Sequence, residues 1–512
     1  MRPTIEPEPP IVKPEQSETV PAGGLGRLLG RLGRQSGAYA LASVVGPGTG
    51  LLLLPVYTRY LSPAEFGLIA LLEVIALVLT AVLSLGMPAF VSFLFVDQRP
   101  SGERRRALGT LFVAVTAVNV VLAGIAWVVL DLTLSRLLPS VPFWPYVPLV
   151  IAATAFEPYW AMAGAMLQMQ ERAGHYSLLS TARILISVTL RLLLVVAWPL
   201  GVAGFMWANV LTAAAFALVS FMVVRQEIRP GFDATVVRQA LAVGGPTVPN
   251  NLLSYGFRLM DRVVLERIGT LDQVGLYYLA MRIAEVMRLA ADVFVNAWRP
   301  VFFKEAGRAA FLERDVPEII RLASVGLVSC FVALSLSAPV VVWIFMAPSY
   351  AGAAQFVPLL VAAMAVKGFY AFPYIAVWYR KKTMWVPALS AVTLAFAIVA
   401  NFVLTAQLGV IGVAAALLLS YCCLAVLMVA VAQRLLPIKY PWRSVLSAAA
   451  WGAVVVLAGT AIPVDRGGLL LRAFLLIAYF PGLLLIRCIA WHELRAAFLR
   501  VAAFSRLRLA PS

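Results

Sequence analysis

Apolar segments of about 20 residues follow one another along almost the whole 512-residue chain, and short polar stretches separate them. A helix needs roughly 20 apolar residues to cross the hydrocarbon core of a bilayer. The pattern therefore predicts an all-α polytopic membrane protein with about 14 transmembrane helices. The predicted spans are 36–57, 66–90, 107–130, 147–170, 176–198, 201–224, 241–268, 275–303, 319–346, 353–379, 384–406, 409–433, 444–463 and 469–488.

Basic residues are concentrated in every second loop between the predicted spans. Cytoplasmic loops carry an excess of Lys and Arg. This distribution predicts that both termini are cytoplasmic, which agrees with an even number of spans. The intervening loops, such as TRYLSPAE (58–65) and VDRGG (464–468), are nearly free of Lys and Arg. The basic loops are 27–34, 99–106, 225–238, 304–314, 380–382, 434–443 and 495–508.

Composition agrees with a membrane protein. Hydrophobic residues make up 62% of the chain and charged residues 13%, whereas soluble domains contain about 45–50% and 25%. The net charge of +17 comes mostly from the short loops and indicates contacts with anionic membrane lipids rather than nucleic acid. Residues 1–35 are predicted to form a disordered Pro- and Glu-rich tail that becomes basic, and 489–512 a basic cytoplasmic tail.

The sequence contains a weak internal repeat. Residues 55–75 align with 261–283 at an offset of about 208 residues, so that Gly67 matches Gly275. Two repeats with the same orientation imply a pseudo-twofold axis along the membrane normal. We therefore predict two six-helix lobes, an N-lobe at 36–224 and a C-lobe at 241–433, with two extra helices at 444–488.

Charged residues occur inside two adjacent predicted spans, where they are expensive, at about 2.5–3.5 kcal/mol each. At about 100° per residue, the polar residues of each span fall within a stripe roughly 100–120° wide. The two spans run antiparallel, so Asp261 and Arg262 should lie at a depth similar to Arg282 and Glu285. The stripes contain Asn251, Ser254, Arg258, Asp261 and Arg262 on the first span, and Arg282, Glu285, Arg288, Asp292, Asn296 and Arg299 on the second.

These charges have two interpretations. They could form local ion pairs that only fix helix packing, since Glu285–Arg288 and Arg288–Asp292 have suitable spacing. Alternatively, arginine exceeds carboxylate on both spans, which favours a cavity that receives an anion. Arginine suits this role because it stays charged and binds phosphate oxygens in a bidentate manner.

The predicted N-lobe also contains charges inside its spans. Arg183 and Arg191 on the fifth span are further candidates for substrate binding, but they lie about 80° apart around the helix. We expect that they do not face the same chamber. Carboxylates inside spans are candidates for coupling transport to an ion gradient, and they are Asp261, Glu285, Asp292, Glu73 and Glu157.

The sequence contains no indication of a catalytic or metal site. The four cysteines have no metal-ligand spacing, and the two histidines are His175 and His492. The longest loops between spans are about 15 residues and contain no Asp-x-Asp motif and no cluster of histidines. We therefore expect that the protein contains no metal site and no bound cofactor, and that it is not an enzyme.

Two segments resemble the polysaccharide transporter family, the O-antigen-type and exopolysaccharide flippases of the multidrug/oligosaccharidyl-lipid/polysaccharide exporter superfamily. The first is YTRYLSPAEFG (57–67), and the second is Asp261-Arg262 followed by VGLY (274–277). The later segment 338–360 also fits, and the resemblance extends in order over roughly 36–433.

This resemblance implies a two-lobed bundle of fourteen helices in the bacterial inner membrane. It implies that the protein moves a polyprenyl-pyrophosphate-linked oligosaccharide from the cytoplasmic to the periplasmic leaflet by alternating access, for surface polysaccharide biosynthesis. An H⁺ or Na⁺ gradient would drive transport, and a polymerase or glycosyltransferase is an expected partner. The alternatives are a flippase for a peptidoglycan precursor and a cation-coupled multidrug exporter of the same superfamily.

Overall fold

The computed structural model describes residues 48–97, 100–229, 231–486 and 488, apart from the side chains of Asn250, Ser254, Phe257, Arg258, Leu259, Ala297 and Arg466. All regular structure within these ranges is helical. The predicted terminal tails lie outside them. The helices of the first half are α1 (Leu54–Tyr60), α2 (Pro63–Leu83), α3 (Met87–Val96), α4 (Ser101–Leu137), α5 (Tyr146–Met169), α6 (Ala173–Leu192), α7 (Gly201–Val224) and α8 (Ala234–Gly244).

The second half continues with nine helices in the described part of the chain. A short π-helical turn at Leu193–Ala197 extends α6, and another at Phe311–Asp315 precedes α11. A 3₁₀ segment covers Pro348–Gln355. The helices are α9 (Thr247–Ile268), α10 (Leu271–Glu305), α11 (Val316–Phe345), α12 (Val357–Phe369), α13 (Ala371–Tyr379), α14 (Trp385–Leu408), α15 (Val410–Leu435), α16 (Trp442–Thr460) and α17 (Arg466–Leu485).

From the second span onward, each predicted span coincides with one helix or with a broken pair. Ten helical segments of the described chain are long and apolar enough to cross a membrane. Four predicted spans do not meet that criterion. They are the first, which is only partly described, the fourth (α5), the seventh (α8 and α9) and the eighth (α10), the last two carrying the charged stripes.

Three predicted spans are broken into two helices. The second divides into α2 and α3 at Gly86, which has a left-handed φ of 67°. The seventh divides into α8 and α9 beside Pro246, which precedes the first residue of α9, and the tenth divides into α12 and α13 at Tyr370. The first two breaks lie against each other, because a Cβ on Gly86 would be 2.2 Å from the carbonyl oxygen of Gly244.

The two repeats begin their second helix in the same way. In α2, Ser62 and Glu65 form a capping box, and in α10 Thr270 and Gln273 form another. These caps satisfy backbone N–H groups at both helix starts. The matching positions are again 208 residues apart, as the aligned glycines are.

The helices α2 and α10 approach each other closely at the aligned glycines. A Cβ on Gly67 would lie 2.1 Å from the carbonyl oxygen of Leu271, and a Cβ on Gly275 would lie 1.9 Å from that of Pro63. The contact is reciprocal, since Pro63 is the repeat equivalent of Leu271. Equivalent patches meeting in this way are what a twofold axis produces, so this pair of helices lies across the pseudo-twofold axis.

The turns before α2 and α10 are braced by further reciprocal contacts, and we call this part of the bundle the braced end. The backbone N–H of Ala347 donates to Thr58 Oγ1 at 3.4 Å, and that of Ser140 donates to the equivalent residue Glu266 at 2.9 Å. The buried phenol of Tyr350 donates to the Leu61 carbonyl at 2.9 Å. Each half thus binds loop backbone of the other half.

The last two helices pack together on the outer side of α11. Their shared core contains Val332 and Leu336 of α11 with Val455 of α16 and Tyr479 of α17. A Cβ on Gly452 would be 2.7 Å from a methyl carbon of Val328. This arrangement agrees with the prediction of two helices outside the repeat. The lobe limits at 36–224 and 241–433 stay predictions.

Substitution of Gly275 by alanine should force α2 and α10 apart, because the new methyl group overlaps the Pro63 carbonyl. Overpacking of this kind typically costs about 1–3 kcal/mol. Spin labels at the exposed residues Tyr60 and Ile268 on a cysteine-free background would report the distance across the braced end. We expect longer distances and a lower thermal unfolding temperature in the variant.

Gly124→Ala in α4 is the matched control, since nothing lies within 4 Å of a Cβ at that glycine. It should leave both measurements unchanged. An unaltered label distance together with an unaltered unfolding temperature in Gly275→Ala would contradict the close approach.

Candidate functional site

Three adjoining cavities run through the described bundle, and they share lining residues. The N-lobe cavity, of about 800 Å³, lies among α1, α2, α5, α6 and α7. The interlobe cavity, of about 580 Å³, lies between α1, α2, α6, α7 and α10 and shares Tyr57 and Arg191 with the first. The C-lobe cavity, of about 280 Å³, lies between α10 and the α12–α13 junction and shares Arg288 with the second.

The interlobe cavity contains charges from both lobes. Arg191 comes from α6, whereas Arg282 and Arg288 come from α10. The acids lining it are Glu73 on α2 and Glu285 on α10. Three arginines and two acids from both lobes therefore line one space between the lobes.

Glu73 ties α2 to the C-lobe. Its carboxylate accepts hydrogen bonds from the Tyr278 hydroxyl at 2.6 Å and from Arg282 at 2.8 and 3.0 Å. Arg262 lies 3.8 Å from the same carboxylate, and both guanidinium groups lie about 5 Å from the centre of the Tyr278 ring. The charged groups of this cluster compensate one another, which reduces the cost of burying them.

Among the predicted site residues whose side chains the structure describes, Asp261 and Arg262 are the most deeply buried, at 3% and 4% exposure. Asp261 accepts hydrogen bonds from the Tyr277 hydroxyl at 2.7 Å and from the backbone N–H of Arg262 at 2.8 Å. Arg262 donates to the carbonyl oxygen of Ala70 in α2 at 3.3 Å. Both residues line a small space of about 50 Å³ together with Glu285, which places these three residues close together.

Five of the six residues in the predicted stripe on α10 line these cavities, and the exception is Asn296. Arg282 pairs with Glu285 at 3.2 Å, and Arg288 pairs with Asp292 at 2.8 Å. The pair between Arg288 and Asp292 is the one that the i,i+4 spacing predicts. Glu285, by contrast, pairs with Arg282 and not with Arg288, which was its predicted partner. Asp292 is half-exposed, so its pair lies in a wetter part of the protein than the Glu73 cluster.

The prediction that Arg183 and Arg191 face different chambers is wrong, because both line the N-lobe cavity. The cavity is broad enough to include a wide arc of α6, on which Tyr176, Ser180 and Ser187 also line it. Helical phase separates two residues on one helix but does not give the width of the space that they face.

The two arginines have different surroundings. Arg183 binds the Glu157 carboxylate of α5 and lies over the Trp160 ring at 5.4 Å. Arg191 donates to the side-chain carbonyl of Asn209 at 2.9 Å and lies over the Phe205 ring at 4.4 Å. Within the described residues, no carboxylate lies within 4.0 Å of Arg191, and its Nε has no hydrogen-bond partner.

Some residues of the site were missed or lie outside the description. Nothing in the sequence singled out Asn209, and Tyr278 was missed although it lies one helical turn before Arg282, a spacing that could have indicated a contact. Lys367, a mid-span charge on α12, lies over the Tyr421 ring at 5.2 Å and lines the C-lobe cavity. The predicted site residue Arg258 has a side chain outside the described part.

Solved structures share this fold at low sequence identity. The lipid II flippase MurJ in an inward closed conformation aligns with a TM-score of 0.69 and 12% identity, over 89% of this chain and 99% of that one. An inward-facing multidrug resistance MATE transporter of the MOP superfamily gives a TM-score of 0.55 and 15% identity, over 82% and 98%. The MATE multidrug transporter DinF-BH gives 0.53 and 16% over the same shares.

Sequence comparison gives the family. None of the curated proteins matches this chain significantly. The family described as polysaccharide biosynthesis protein matches residues 32–305, which is more than half of the chain. This protein therefore belongs to the polysaccharide biosynthesis protein family.

Proposed function

We propose that this protein is a flippase that moves a polyprenyl-pyrophosphate-linked oligosaccharide from the cytoplasmic to the periplasmic leaflet of the bacterial inner membrane. The product would serve surface polysaccharide biosynthesis. The observation that carries the proposal is the convergence of Arg191, Arg282 and Arg288 from two lobes on one interlobe cavity. Family membership supports the class of cargo.

Arg191 is the best candidate for the first contact with the pyrophosphate. Its direct contacts include the Asn209 side chain and the Phe205 ring, and the acids Glu73 and Glu285 line the same cavity. Guanidinium groups bind phosphate oxygens through charge-assisted hydrogen bonds, which are about twice as strong as neutral ones. A pyrophosphate between Arg191 and Arg282 would accept hydrogen bonds from both guanidinium groups, while the polyprenyl chain stays in lipid.

The same arrangement disfavours a cationic drug as cargo, because three arginines would repel it. A peptidoglycan precursor remains a relevant alternative, since it carries the same pyrophosphate group. The structural likeness to the lipid II flippase is a likeness of fold. Flipping of lipid II is therefore measured beside flipping of the oligosaccharide cargo.

Binding of the pyrophosphate would loosen the tie between the lobes. Arg282 binds both Glu73 on α2 and Glu285 on its own helix. An anion that draws Arg282 away from Glu73 would weaken the contact between α2 and α10. In the proposed orientation, the braced end faces the periplasm, so this tie must break before the cargo can leave on that side.

Glu73 is also the most suitable of the five acids for coupling to an H⁺ or Na⁺ gradient. It lies between the lobes, and its charge is what holds Arg282, Arg262 and the Tyr278 hydroxyl. By contrast, Asp261 is enclosed within the C-lobe, Asp292 lies in a wetter position on α10, and Glu157 binds Arg183 inside the N-lobe. Glu285 pairs with Arg282 along one helix.

The remaining features of the proposal concern the membrane. Both termini would be cytoplasmic, and the basic loops would contact anionic lipids of that leaflet. The C-terminal basic segment 489–512 would then be available to a polymerase or glycosyltransferase that works on the same lipid-linked sugar. No bound cofactor enters this proposal.

Replacement of either central arginine should slow flipping. In proteoliposomes containing a fluorescent polyprenyl-pyrophosphate oligosaccharide, Arg191→Ala and Arg282→Ala should each lower the initial rate about tenfold or more. A hydrogen bond to a charged group is worth about 1.5–3 kcal/mol, and 1.4 kcal/mol corresponds to a factor of ten.

Arg59→Ala is the matched control, because Arg59 is an exposed arginine at the end of α1 outside the three cavities. It should flip at the wild-type rate. Wild-type rates in both cavity variants would sink the proposed anion site. Flipping of lipid II but not of the oligosaccharide would replace the proposed cargo by the peptidoglycan precursor.

Glu73→Gln should open the braced end. Glutamine keeps the shape of the side chain but removes the charge that holds Arg262 and Arg282, so labels at Tyr60 and Ile268 should move apart. The wild type should show the same distances at a pH low enough to protonate Glu73, whereas the variant should not respond to pH in this range. Its transport rate should also lose its dependence on a pH gradient.

Glu157→Gln provides the comparison, because this acid also pairs with an arginine but lies within one lobe. It should keep the wild-type distances and the wild-type pH response. If Glu73→Gln behaves as Glu157→Gln does, Glu73 is not the coupling residue.

A further inference from the structure

A row of aromatic side chains lies beside the C-lobe cavity. Tyr370, Tyr374 and Trp378 are four residues apart and so lie on one face of the helix. Successive ring centroids are 5.7 Å apart, with angles of 33° and 34° between the ring planes. The rings thus form a staircase, which we call the aromatic ladder.

The ladder begins in the C-lobe cavity and ends near the protein surface. Tyr370 and Tyr374 line the cavity, whereas Trp378 is 40% exposed. Arg299, another lining residue, lies over the Trp378 ring at 5.6 Å. The next residues along the chain are Arg380, Lys381 and Lys382, a loop that the charge pattern assigns to the cytoplasm.

The lining of this cavity is amphipathic. The aromatic residues Tyr370 and Tyr374 line it together with charged residues, which are Arg288, Asp292 and Arg299 of α10 and Lys367 of α12. A lipid chain would not fit beside so many charges. A sugar ring would, because its C–H face can lie on an aromatic face, which is electron-rich, while its hydroxyl groups reach charged donors and acceptors at the rim.

The position of the cavity agrees with the covalent structure of the cargo. Arg288 lines both the interlobe cavity and the C-lobe cavity, so the two spaces adjoin at one side chain. In a polyprenyl-pyrophosphate-linked oligosaccharide, the first sugar is bonded directly to the pyrophosphate. A pyrophosphate held near Arg282 and Arg288 would therefore carry its first sugar into the C-lobe cavity.

We infer that the C-lobe cavity is the subsite for the glycan, with Tyr370, Tyr374 and Trp378 as stacking surfaces for successive sugar rings. The cavity volume of about 280 Å³ is close to the lower limit of about 300 Å³ for small-molecule sites, and further sugars would extend along the ladder toward Trp378. Arg299 fixes the Trp378 ring by a cation–π contact. This inference rests on the proposed function and adds which wall recognises the saccharide.

The inference is tested by competition in nanodiscs that contain the full chain and a fluorescent polyprenyl pyrophosphate without sugar. The competitors are the unlabelled bare lipid and the lipid-linked saccharide fraction extracted from the native host after deletion of this transporter. We expect the saccharide lipid to compete about tenfold better than the bare lipid. A single aromatic contact accounts for about twofold to tenfold of such a difference.

Tyr374→Ala should lose most of this advantage and bind the bare lipid as the wild type does, and Tyr374→Ala with Trp378→Ala should lose it completely. Tyr374→Phe keeps the ring and should retain the advantage, which distinguishes stacking from a role of the hydroxyl. Trp343→Ala is the control, since Trp343 is exposed on α11 away from the C-lobe cavity.

The outcomes separate the two proposals. Equal binding of both lipids by the wild type, or an unchanged saccharide advantage in the double variant, would overturn the glycan subsite and leave the flippase proposal standing. Failure of the wild type to bind either lipid would overturn both. Weaker binding of the bare lipid in Tyr374→Ala would mean that the ladder supports the protein fold rather than sugar recognition.

Discussion

The close approach of α2 and α10 is the constraint on which the rest of the structure depends. It requires glycine at 67 and 275, because a methyl group at either position would overlap a carbonyl oxygen of the other helix. With the backbones this close, Phe66 packs against Tyr278, with ring centroids 5.2 Å apart, and Glu73 comes within reach of Arg282. The small residues therefore position the charged cluster, as they do at many helix contacts in membranes.

The charged cluster makes this contact conditional. A guanidinium group inside the membrane region needs a partner, since an isolated charge there costs several kcal/mol. Glu73 meets that need for Arg262 and Arg282 only while the lobes are together. When they separate, Arg262 and Arg282 lose this carboxylate, and the pyrophosphate of the proposed cargo would supply another anion. Contact between the lobes and occupation by the cargo would then compete for the same positive charges, which is the differential interaction that a carrier requires.

Much of this arrangement could be predicted from the sequence, because its signals are local or periodic. Apolar length gave the spans, and helical phase gave the stripe on α10. The alignment of Gly67 with Gly275 indicated the repeat, and the structure turns that alignment into a physical contact. The contact between Glu73 and Arg282 could not be predicted, because these residues are 209 positions apart and meet only through the packing of α2 against α10. The width of the N-lobe cavity, which brings Arg183 and Arg191 together, depends on the packing of several helices.

Two of the three cavities would divide the recognition of the proposed cargo into chemically distinct parts. The interlobe cavity is lined by three arginines and two acids, whereas the C-lobe cavity combines aromatic side chains with charged residues of α10. A ligand with a pyrophosphate and a saccharide would occupy both of these cavities. Only its pyrophosphate, in the interlobe cavity, would disturb the contacts of Glu73. The coupling between binding and opening would then depend on the pyrophosphate, which all such cargoes share. The glycan would adjust affinity through the aromatic ladder, so one gating mechanism could serve different saccharides.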